Sequence, residues 1–393
     1  MKPLKVMMVA TEASGDALAA GLARALRARL GAQNVSFVGV GGARMLAEGM
    51  PSLFDIGQLS ILGLDVSVIP RALRLLSRTA HLAQAERPDA VVLVDSWAFS
   101  ILLAQRLRRR LPGAPLIKYV GPQVWATRPW RAKALARAVD LLLAINSFEP
   151  PYFEAEGLRT VFVGNPVFAR DLSGADPHRL RAAIGAGPDD PILLILPGSR
   201  PTEIRRLMGP FEDAVALLKS DRPRLHLVLA AADTVAGQVK ASIAGWPNRV
   251  HVVEGEAARF DAMRAATVAL ACSGTVTTEL ALAGCPMVVA YRLGPMTYIA
   301  ARILMHSPFV TLINIAAGKA IAPELLQGDC TGPRLARELA LRLDDPALRA
   351  RQIAEQDAAT RLMGRGGPDP SQVAADAVLE LLTERKVLPS RAP

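Results

Sequence analysis

Short apolar runs alternate along the chain with longer segments in which apolar residues recur every three or four positions. The first run, LKVMMVA at 4–10, predicts a buried strand, and 14–31 predicts a helix that starts at Ser14 and stops at Gly31. Further strands are predicted at 35–42, 90–96, 115–121, 141–147, 160–166, 191–199, 225–231, 249–255, 267–273 and 286–292. Helical segments near 67–85, 98–111, 129–138 and 149–156 lie between the earlier strands. Apolar strands that alternate with helices predict parallel sheets covered on both faces.

The alternation stops once and then restarts. The segment 165–190 is rich in Pro, Gly and Asp and is the best candidate for a linker. With 393 residues, two domains are expected. We therefore predict an α/β protein with two Rossmann-like, doubly wound parallel-sheet domains that face a cleft. The predicted divisions are 1–165, 166–345, and C-terminal helices 346–393 that pack back toward the first domain.

Composition adds an anionic partner to this picture. The formal net charge is +10, and arginines cluster at 24–29, 71–78, 105–110 and 128–137. These clusters indicate a membrane surface, a phosphorylated substrate or nucleic acid, or else they are solvated helix faces. Aromatic residues make up only 5% of the chain and do not interleave with basic ones, which disfavours nucleic-acid binding by base stacking.

The three cysteines are scattered and form no CxxC pair, so neither a disulfide framework nor a zinc site is expected, and a reducing cytoplasm fits. The N-terminus MKPLKVMMVATEASGD does not resemble a signal peptide. No apolar stretch is long enough to span a bilayer, so membrane contact is expected to be peripheral. DxD and HExxH are absent, as are GxGxxG and the P-loop motif, and we predict neither a metal nor another cofactor.

Two strand-to-helix loops carry candidate phosphate-binding chemistry. In LPGSRPTEIRR, Gly198 lets the backbone approach a ligand, and Arg200 can bind a diphosphate bidentately. Glu203 lies in the first helical turn. The alternative is a structural loop in which Ser199 or Thr202 caps the helix.

The second loop, CSGTVTTELALAGCP, repeats this arrangement. Amides of Gly274 and Thr275 at a helix start suit a diphosphate, and Glu279 one turn later can accept ribose hydroxyls. Capping by Ser273 or Thr275 is the alternative. A serine nucleophile is disfavoured because the GxSxG elbow is missing.

Strand ends in the first half offer further candidates. Glu12 follows the first strand, and Ser14 with Asp16 begins the next helix, which they could simply cap. Asp95 ends a strand and could act as a general base or cap the following helix.

An aromatic and basic loop follows another strand. The segment YVGPQVWATRPWRAK contains Trp125, Arg128, Trp130 and Arg131. Such residues suit an anionic, lipid-rimmed acceptor site, although core packing of the tryptophans is an equal alternative.

Eight motifs together resemble lipid-A-disaccharide synthases, in the same order: EASGD, FVGVGGARM, VGPQVWATR, FEPPYFEAEG, FVGNP, LPGSRPTEI, SGTVTTELALAGCPMVVAYR and INIAAGKAIAPELLQ. The resemblance covers roughly residues 4–385. It implies a GT-B glycosyltransferase fold and an inverting, metal-independent transfer. The implied donor is UDP-2,3-diacylglucosamine, and the implied acceptor is 2,3-diacylglucosamine 1-phosphate. The products would be the β-1,6-linked lipid A disaccharide phosphate and UDP.

The resemblance also implies roles for individual residues. Asp95 matches the aspartate of the strand-end motif and is the base candidate. Gly198, Ser199, Arg200, Glu203, Ser273, Gly274, Thr275, Glu279 and Asn314 would bind UDP; Glu12, Ser14, Trp125, Arg128 and Asn165 would bind the acceptor. The family acts peripherally at the cytoplasmic face of the inner membrane, on an anionic surface, and a homodimer is left open. The segment 59–78 is our candidate for lipid contact, with a helix packed on the core as the alternative.

The sequence departs from the family pattern only on the acceptor side. Trp97-Ala98 stands where a Pro-Asp pair is usual, Asn165 replaces a histidine, Thr127 replaces a tryptophan, and Val66 stands at an acidic position. The UDP-side motifs are intact. Two alternatives therefore stay open: a related UDP-sugar transferase with another acceptor, and a catalytically silent paralogue that binds a UDP-sugar or lipid.

Overall fold

The protein is represented by a computed structural model that describes residues 3–56, 69–294, 298 and 307–389. The chain divides into two compact units, one formed by Met1–Ala169 with Gly366–Pro393 and the other by Arg170–Arg365. The divisions predicted after residues 165 and 345 thus lie at 169 and 365 in the structure.

The first unit is built on a six-stranded parallel sheet in the order β2-β1-β3-β4-β5-β6. Its strands are β1 Leu4–Ala10, β2 Val35–Val40, β3 Ala90–Val94, β4 Leu116–Tyr119, β5 Leu141–Ala144 and β6 Thr160–Phe162. Because β2 lies on one side of β1 and β3 on the other, the winding direction reverses between β1 and β3.

Helices pack on the two faces of this sheet. They are α1 Ala13–Leu30, α2 Ala43–Ala47, α3 Ile69–Glu86, α4 Trp97–Arg110, α5 Trp130–Ala136 and α6 Pro150–Glu154, joined by the C-terminal helix Pro370–Glu384. One face buries Met8, Val92 and Leu143 against α1 and that C-terminal helix, and the other buries Met7 and Leu93 against α3 and α4.

The second unit repeats the design with the order β12-β11-β10-β7-β8-β9, again all parallel. Its strands are β7 Ile192–Leu196, β8 His226–Ala230, β9 His251–Val253, β10 Val268–Cys272, β11 Met287–Tyr291 and β12 Glu324–Leu326. Here the winding reverses between β7 and β10. The fold-class prediction of doubly wound parallel sheets is confirmed.

The helices of the second unit complete its layers. They are α7 Pro177–Ile184, α8 Pro201–Asp221, α9 Ala236–Ile243, α10 Glu256–Ala265, α11 Thr275–Leu282, α12 Leu312–Ala317, α13 Gly332–Asp344 and α14 Pro346–Leu362. The C-terminal helix of the first unit is accordingly α15, Pro370–Glu384.

The structure departs from the sequence predictions at three places. The segment proposed as a linker contains the division between Ala169 and Arg170, but its later part forms α7, which begins with Asp176 accepting from the His178 amide and ends at Gly185 in the left-handed conformation. These are ordinary helix-start and helix-stop residues that the high Pro and Gly content obscured. The short edge strand β12 was missed, and α1 begins at Ala13 with no side-chain cap, so Ser14 does not cap it.

The segment proposed for lipid contact is only partly described, since residues 59–68 lie outside the described residues. Its remainder forms the first turns of α3, where Leu75 and Leu76 are buried while Arg71, Arg74 and Arg78 are exposed. Lipid contact there stays a prediction. Among the helices that the structure describes, none is long and apolar enough to cross a membrane.

Candidate functional site

In the second unit, the two predicted phosphate-binding loops lie next to each other. β7 and β10 are adjacent and pair in parallel, with Leu196 opposite Ala271, so the loops that follow them leave the same edge of the sheet. This edge is also where the winding reverses, which is where open α/β sheets bind ligands. Tertiary structure thus brings together two motifs that are separated by more than 70 residues in the chain.

The loop after β7 is held by a carboxylate at the start of α8. Glu203 accepts hydrogen bonds from the backbone amides of Ser199 and Arg200 through one oxygen, at 3.1 and 3.2 Å. Gly198 has φ +111°, and a Cβ added there would collide with that carboxylate. Arg200 is the N-cap residue, so the alternative of a cap by Ser199 or Thr202 is not formed. Glu203 therefore shapes the loop, and direct contact with a nucleotide stays a prediction.

Arg200 is an exposed cation at this edge. Its side chain is 73% exposed, and its Nη1 lies 3.3 Å from Oε1 of Glu203. Burial raises the pKa of the Tyr291 hydroxyl at the end of β11, and a hydrogen bond with Arg200 opposes that shift. Since β10 lies between β7 and β11, the guanidinium of Arg200 reaches across the carboxyl end of β10.

The loop after β10 leads into a helix whose first amides have no side-chain partner. Gly274 is the N-cap residue of α11 and makes no side-chain cap hydrogen bond, so the alternative of capping by Ser273 or Thr275 is wrong. Instead the Thr277 hydroxyl donates to the Gly274 carbonyl at 2.8 Å. Gly274 and Thr275 are exposed, which leaves the positive end of the α11 dipole open to an anion.

Glu279 lies one turn into α11 and is held by two arginines. Its buried carboxylate accepts a short hydrogen bond from Arg170 and lies 3.6 Å from Nε of Arg259. The predicted contact with ribose is not tested by this arrangement, but both arginines are partners that the sequence did not reveal.

Asn314 has a structural role in this unit. The side chain is fully buried, and its amide nitrogen donates to the Ala322 carbonyl and to Glu324, both at 2.8 Å. Its oxygen accepts from the amides of Ile321 and Ala322 at 2.9 and 3.0 Å. All four hydrogen-bonding positions of the side chain are therefore used. A contact with the donor stays a prediction that requires one of these bonds to be exchanged.

In the first unit, the corresponding edge places Asp95 against the start of α1. A Cβ built on Gly15 would lie 3.5 Å from Val94 Cγ1 and 3.7 Å from Cβ of Asp95. Glu12 and Ser14 of the same loop are exposed. The EASGD motif and the aspartate that follows β3 thus meet where the winding reverses.

The backbone at Asp95 is strained. Asp95 and Ser96 have φ +51° and +38°, and Val120 and Arg128 in the loop after β4 have φ +70° and +56°. Four of the seven non-glycine residues with positive φ in the described chain thus lie in these two loops. Such conformations each cost about 1–3 kcal/mol and cluster at functional sites. Asp95 Oδ1 accepts from the Ser96 amide at 2.8 Å, so the residue does not cap α4 with its side chain in the usual way.

Lys118 supports this turn from inside the protein. It is a fully buried lysine in β4 whose ammonium donates to the carbonyl of Asp95 and lies 3.4 Å from the Leu93 carbonyl and 3.3 Å from that of Tyr119. Burial lowers the pKa of Lys118 to about 7, against an opposing contribution from Asp95. A lysine inside an otherwise apolar strand was the sequence signal that we missed.

A second buried polar cluster follows β4, β5 and β6. Glu149 accepts from Asn146 Nδ2 at 2.8 Å and from Trp125 Nε1 at 3.4 Å, and Asn146 Oδ1 accepts from Asn165 Nδ2 at 3.5 Å. Burial raises the pKa of Glu149. Trp125 packs edge-to-face on Phe148, at a centroid distance of 5.3 Å. Trp125 and Asn165 are buried as well, so their contact with an acceptor stays a prediction.

Asp16 does not have the capping role that the sequence offered as an alternative. Its buried carboxylate does not cap α1 but accepts from the amides of Gly42, Arg44 and Met45 at 2.6, 2.9 and 3.2 Å. It therefore caps α2 and joins EASGD to the glycine-rich loop after β2. In the described ranges, no group of three or more His, Cys, Asp or Glu residues is arranged to hold a metal ion.

Comparison with known proteins gives the following matches. Residues 6–377 match the family model described as lipid-A-disaccharide synthetase. A lipid-A-disaccharide synthase of Rhodospirillum centenum is 42% identical over 389 residues, with 98% of this chain and 97% of that protein covered. The structure of S. aureus MnaA with UDP has a TM-score of 0.63 at 14% identity, covering 100% of this chain and 99% of the other. CalG4, the calicheamicin glycosyltransferase, has a TM-score of 0.56 at 17% identity, covering 97% and 99%. These two structures show a shared GT-B-type fold.

Proposed function

The chain belongs to the lipid-A-disaccharide synthase family, and from this premise we propose the reaction that it catalyses. It transfers 2,3-diacylglucosamine from UDP to the 6-hydroxyl of 2,3-diacylglucosamine 1-phosphate, with inversion at the anomeric carbon. The products are the β-1,6-linked lipid A disaccharide phosphate and UDP. The observation that carries the proposal is the pair of adjacent loops after β7 and β10, which together suit a nucleoside diphosphate.

Donor binding is assigned to the second unit. The open N-terminal amides of α11 and the exposed Arg200 offer dipolar and cationic contacts to the diphosphate. The same groups would stabilise the negative charge that develops on UDP as it leaves. That S. aureus MnaA, which shares the fold, is seen with UDP supports a nucleotide site on this architecture.

Glu279 is assigned to the ribose. Arg170 and Arg259 fix its carboxylate from the protein side. A carboxylate has about four acceptor positions, so it retains capacity for the two ribose hydroxyls after these contacts.

Asp95 is assigned as the general base. It takes the proton of the acceptor 6-hydroxyl while that oxygen bonds to the anomeric carbon and the bond to UDP breaks with its electron pair. Oδ1 of Asp95 is fixed by the Ser96 amide, and within the described residues Oδ2 has no protein hydrogen bond. The strained turn and the buried ammonium of Lys118 hold this carboxylate at the sheet edge.

The experiment is an assay of UDP release with both acylated sugars. We expect the wild-type protein to turn over and Asp95→Asn to lose about 10²–10⁴-fold in kcat, because a positioned base contributes that much. UDP affinity should be unchanged in the variant, since Asp95 and the UDP loops belong to different units. Folded wild-type protein that binds UDP without turnover would refute the reaction, and an active Asp95→Asn would refute the base.

A further inference from the structure

Two arginines and two tryptophans form a cluster on the first unit, which we define as the Trp–Arg cluster: Trp97, Arg128, Trp130 and Arg131. Arg128 and Trp130 are exposed, and Trp97 and Arg131 are partly buried. The Arg131 guanidinium lies 5.0 Å from the ring centre of Trp97 and 5.8 Å from that of Trp130. The two rings meet edge-to-face, with centroids 6.3 Å apart. Trp130 is 61% exposed, so most of its indole surface is available to a bound molecule.

The charges of this cluster are not neutralised by the protein. Burial lowers the pKa of Arg131, and the neighbouring positive charge of Arg128 lowers it further. Within the described residues, neither Arg128 nor Arg131 forms an ion pair, and the buried Nε of Arg131 has no hydrogen-bond partner. Adjacent like charges without a carboxylate are unfavourable unless an anion bridges them.

Main-chain hydrogen bonds order the turn that carries Arg128 and Arg131. Arg128 adopts a left-handed φ of +56°, and its carbonyl accepts from the Arg131 amide at 3.0 Å. The preceding turn is closed by the amide of Thr127 on the Gln123 carbonyl at 3.0 Å and is anchored by buried Trp125. The Arg131 guanidinium lies against two indole rings, so it loses less conformational freedom on binding an anion than a free side chain would.

The cluster adjoins the base candidate. Trp97 is the first residue of α4 and follows Asp95 by two positions, and the ring of Trp97 lies against Arg131. Trp97 is also one of the residues that depart from the family pattern. The contact between Trp97 and Arg131 is therefore particular to this chain and not given by the family motif.

Resting on the function proposed above, we infer that the Trp–Arg cluster binds the phosphate monoester of the acceptor sugar and thereby selects the phosphorylated acceptor. Guanidinium groups bind a phosphate bidentately through parallel N–H bonds, which a neutral hydroxyl cannot match. The Trp97 and Trp130 rings hold Arg131 by cation–π contact and give the sugar an apolar surface beside the phosphate.

The first test compares acceptors. Turnover is measured with 2,3-diacylglucosamine 1-phosphate and with the same sugar lacking the phosphate, and the ratio of the two kcat/KM values is recorded. In Arg128→Gln and Arg131→Gln we expect this ratio to fall by about 10- to 100-fold, mainly through KM, because a charged hydrogen bond is lost. Arg137→Gln removes the same charge from an exposed position after α5 and should keep the wild-type ratio.

The second test measures binding without turnover. Glucosamine 1-phosphate and glucosamine are titrated against each protein, and we expect Arg131→Gln to lose the preference for the phosphorylated sugar. Should the wild type fail to turn over while this preference is present and is lost in Arg131→Gln, the reaction is wrong and the anion site stands. An unchanged preference in both arginine variants overturns the site, whatever the activity.

The third test separates the acceptor phosphate from a membrane phosphate. Binding to vesicles of phosphatidylglycerol is measured by sedimentation for the same variants. Loss of vesicle binding with an unchanged acceptor ratio would assign the cluster to lipid headgroups and overturn the inference. Unchanged vesicle binding with a reduced acceptor ratio supports it.

Discussion

In the first unit, a single buried charge, the ammonium of Lys118, contacts the turn that carries Asp95. Lys118 is surrounded by main-chain carbonyls rather than by a carboxylate partner at ion-pair distance among the described residues, and burial lowers its pKa to about 7. Its contacts join the ends of β3 and β4 directly below the strained Asp95 turn. A buried cation is costly, so its position here fits a role in fixing that turn.

Lys118 makes the stability of the protein depend on pH. Between pH 7 and the ordinary lysine value of 10.5, the unfolded chain binds the proton while the folded protein does not. Stability should therefore rise with pH in this window, by about 1 kcal/mol per pH unit, and the cost of the buried charge should be largest below pH 7. Lys118→Met removes the titration. The free energy of unfolding, measured by denaturant titration at several pH values from 6.5 to 9, should therefore rise less steeply with pH in Lys118→Met than in the wild type. The same pH dependence of the free energy of unfolding in both proteins would contradict a lowered pKa of Lys118.

Arg200 is the residue on which donor affinity should depend most. Its side chain is exposed, so Arg200→Gln is expected to leave the fold intact. Loss of a charged contact with the diphosphate should weaken UDP binding by about 10- to 100-fold in calorimetric titration. Arg206→Gln, an exposed position on the same helix, is the matched control and should bind UDP normally. Equal affinity in all three proteins would remove Arg200 from the site.

At the scale of elements, the backbone amides at the starts of three helices differ in the groups that accept their hydrogen bonds. α2 is capped from a distance by Asp16, α8 is closed by its own Glu203, and α11 has no side-chain cap. Carboxylates satisfy the amides at the first two positions. Only the third leaves its dipole available, which is why the diphosphate is assigned to it.

The Asp16 cap can be tested by local hydrogen exchange. Asp16→Ala leaves three amides at the start of α2 without an acceptor, and we expect a local loss of about 2 kcal/mol. The amides of residues 44–48 should then exchange roughly 30-fold faster. Ser14→Ala, an exposed change on the same helix as Asp16, should leave those amides unaffected. Unaltered exchange in Asp16→Ala would show that the glycine-rich loop holds α2 without the carboxylate.

At the scale of the whole molecule, the chain returns to its first unit at the end. α15 buries Ala374, Val378 and Leu382 in the same core as α1, and Arg29 pairs with Asp376 between the two helices at 2.8 Å. The first unit is therefore complete only when the last part of the chain has been made.

Removal of residues 366–393 should affect one unit only. Without α15, the buried face of α1 becomes exposed to water, and α1 amides should lose protection from hydrogen exchange. Amides of α8, in the second unit, should keep the protection that they have in the full chain. Equal loss of protection in both helices would contradict the independence of the two cores.

The sequence by itself determined the architecture, because local periodicity and apolar strand content require parallel sheets with helices on both faces. It also singled out the two strand-to-helix loops and Asp95 as candidate site residues, since helix starts and strand ends can be recognised in the sequence. It did not determine which groups those residues contact. Ser14 was predicted to cap α1 and does not, and the caps considered as alternatives at Thr202 and Thr275 are not formed.

Only the tertiary structure decided which side chains contact one another. Strand order placed β7 beside β10, and with them Arg200 beside the open start of α11. Packing brought Arg170 to Glu279, used all the hydrogen-bonding positions of Asn314, and placed Arg131 against the rings of Trp97 and Trp130. The physical reason is that a local pattern fixes which face of an element is buried, while the contacts of a polar side chain depend on elements that are distant in the chain and adjacent only after folding.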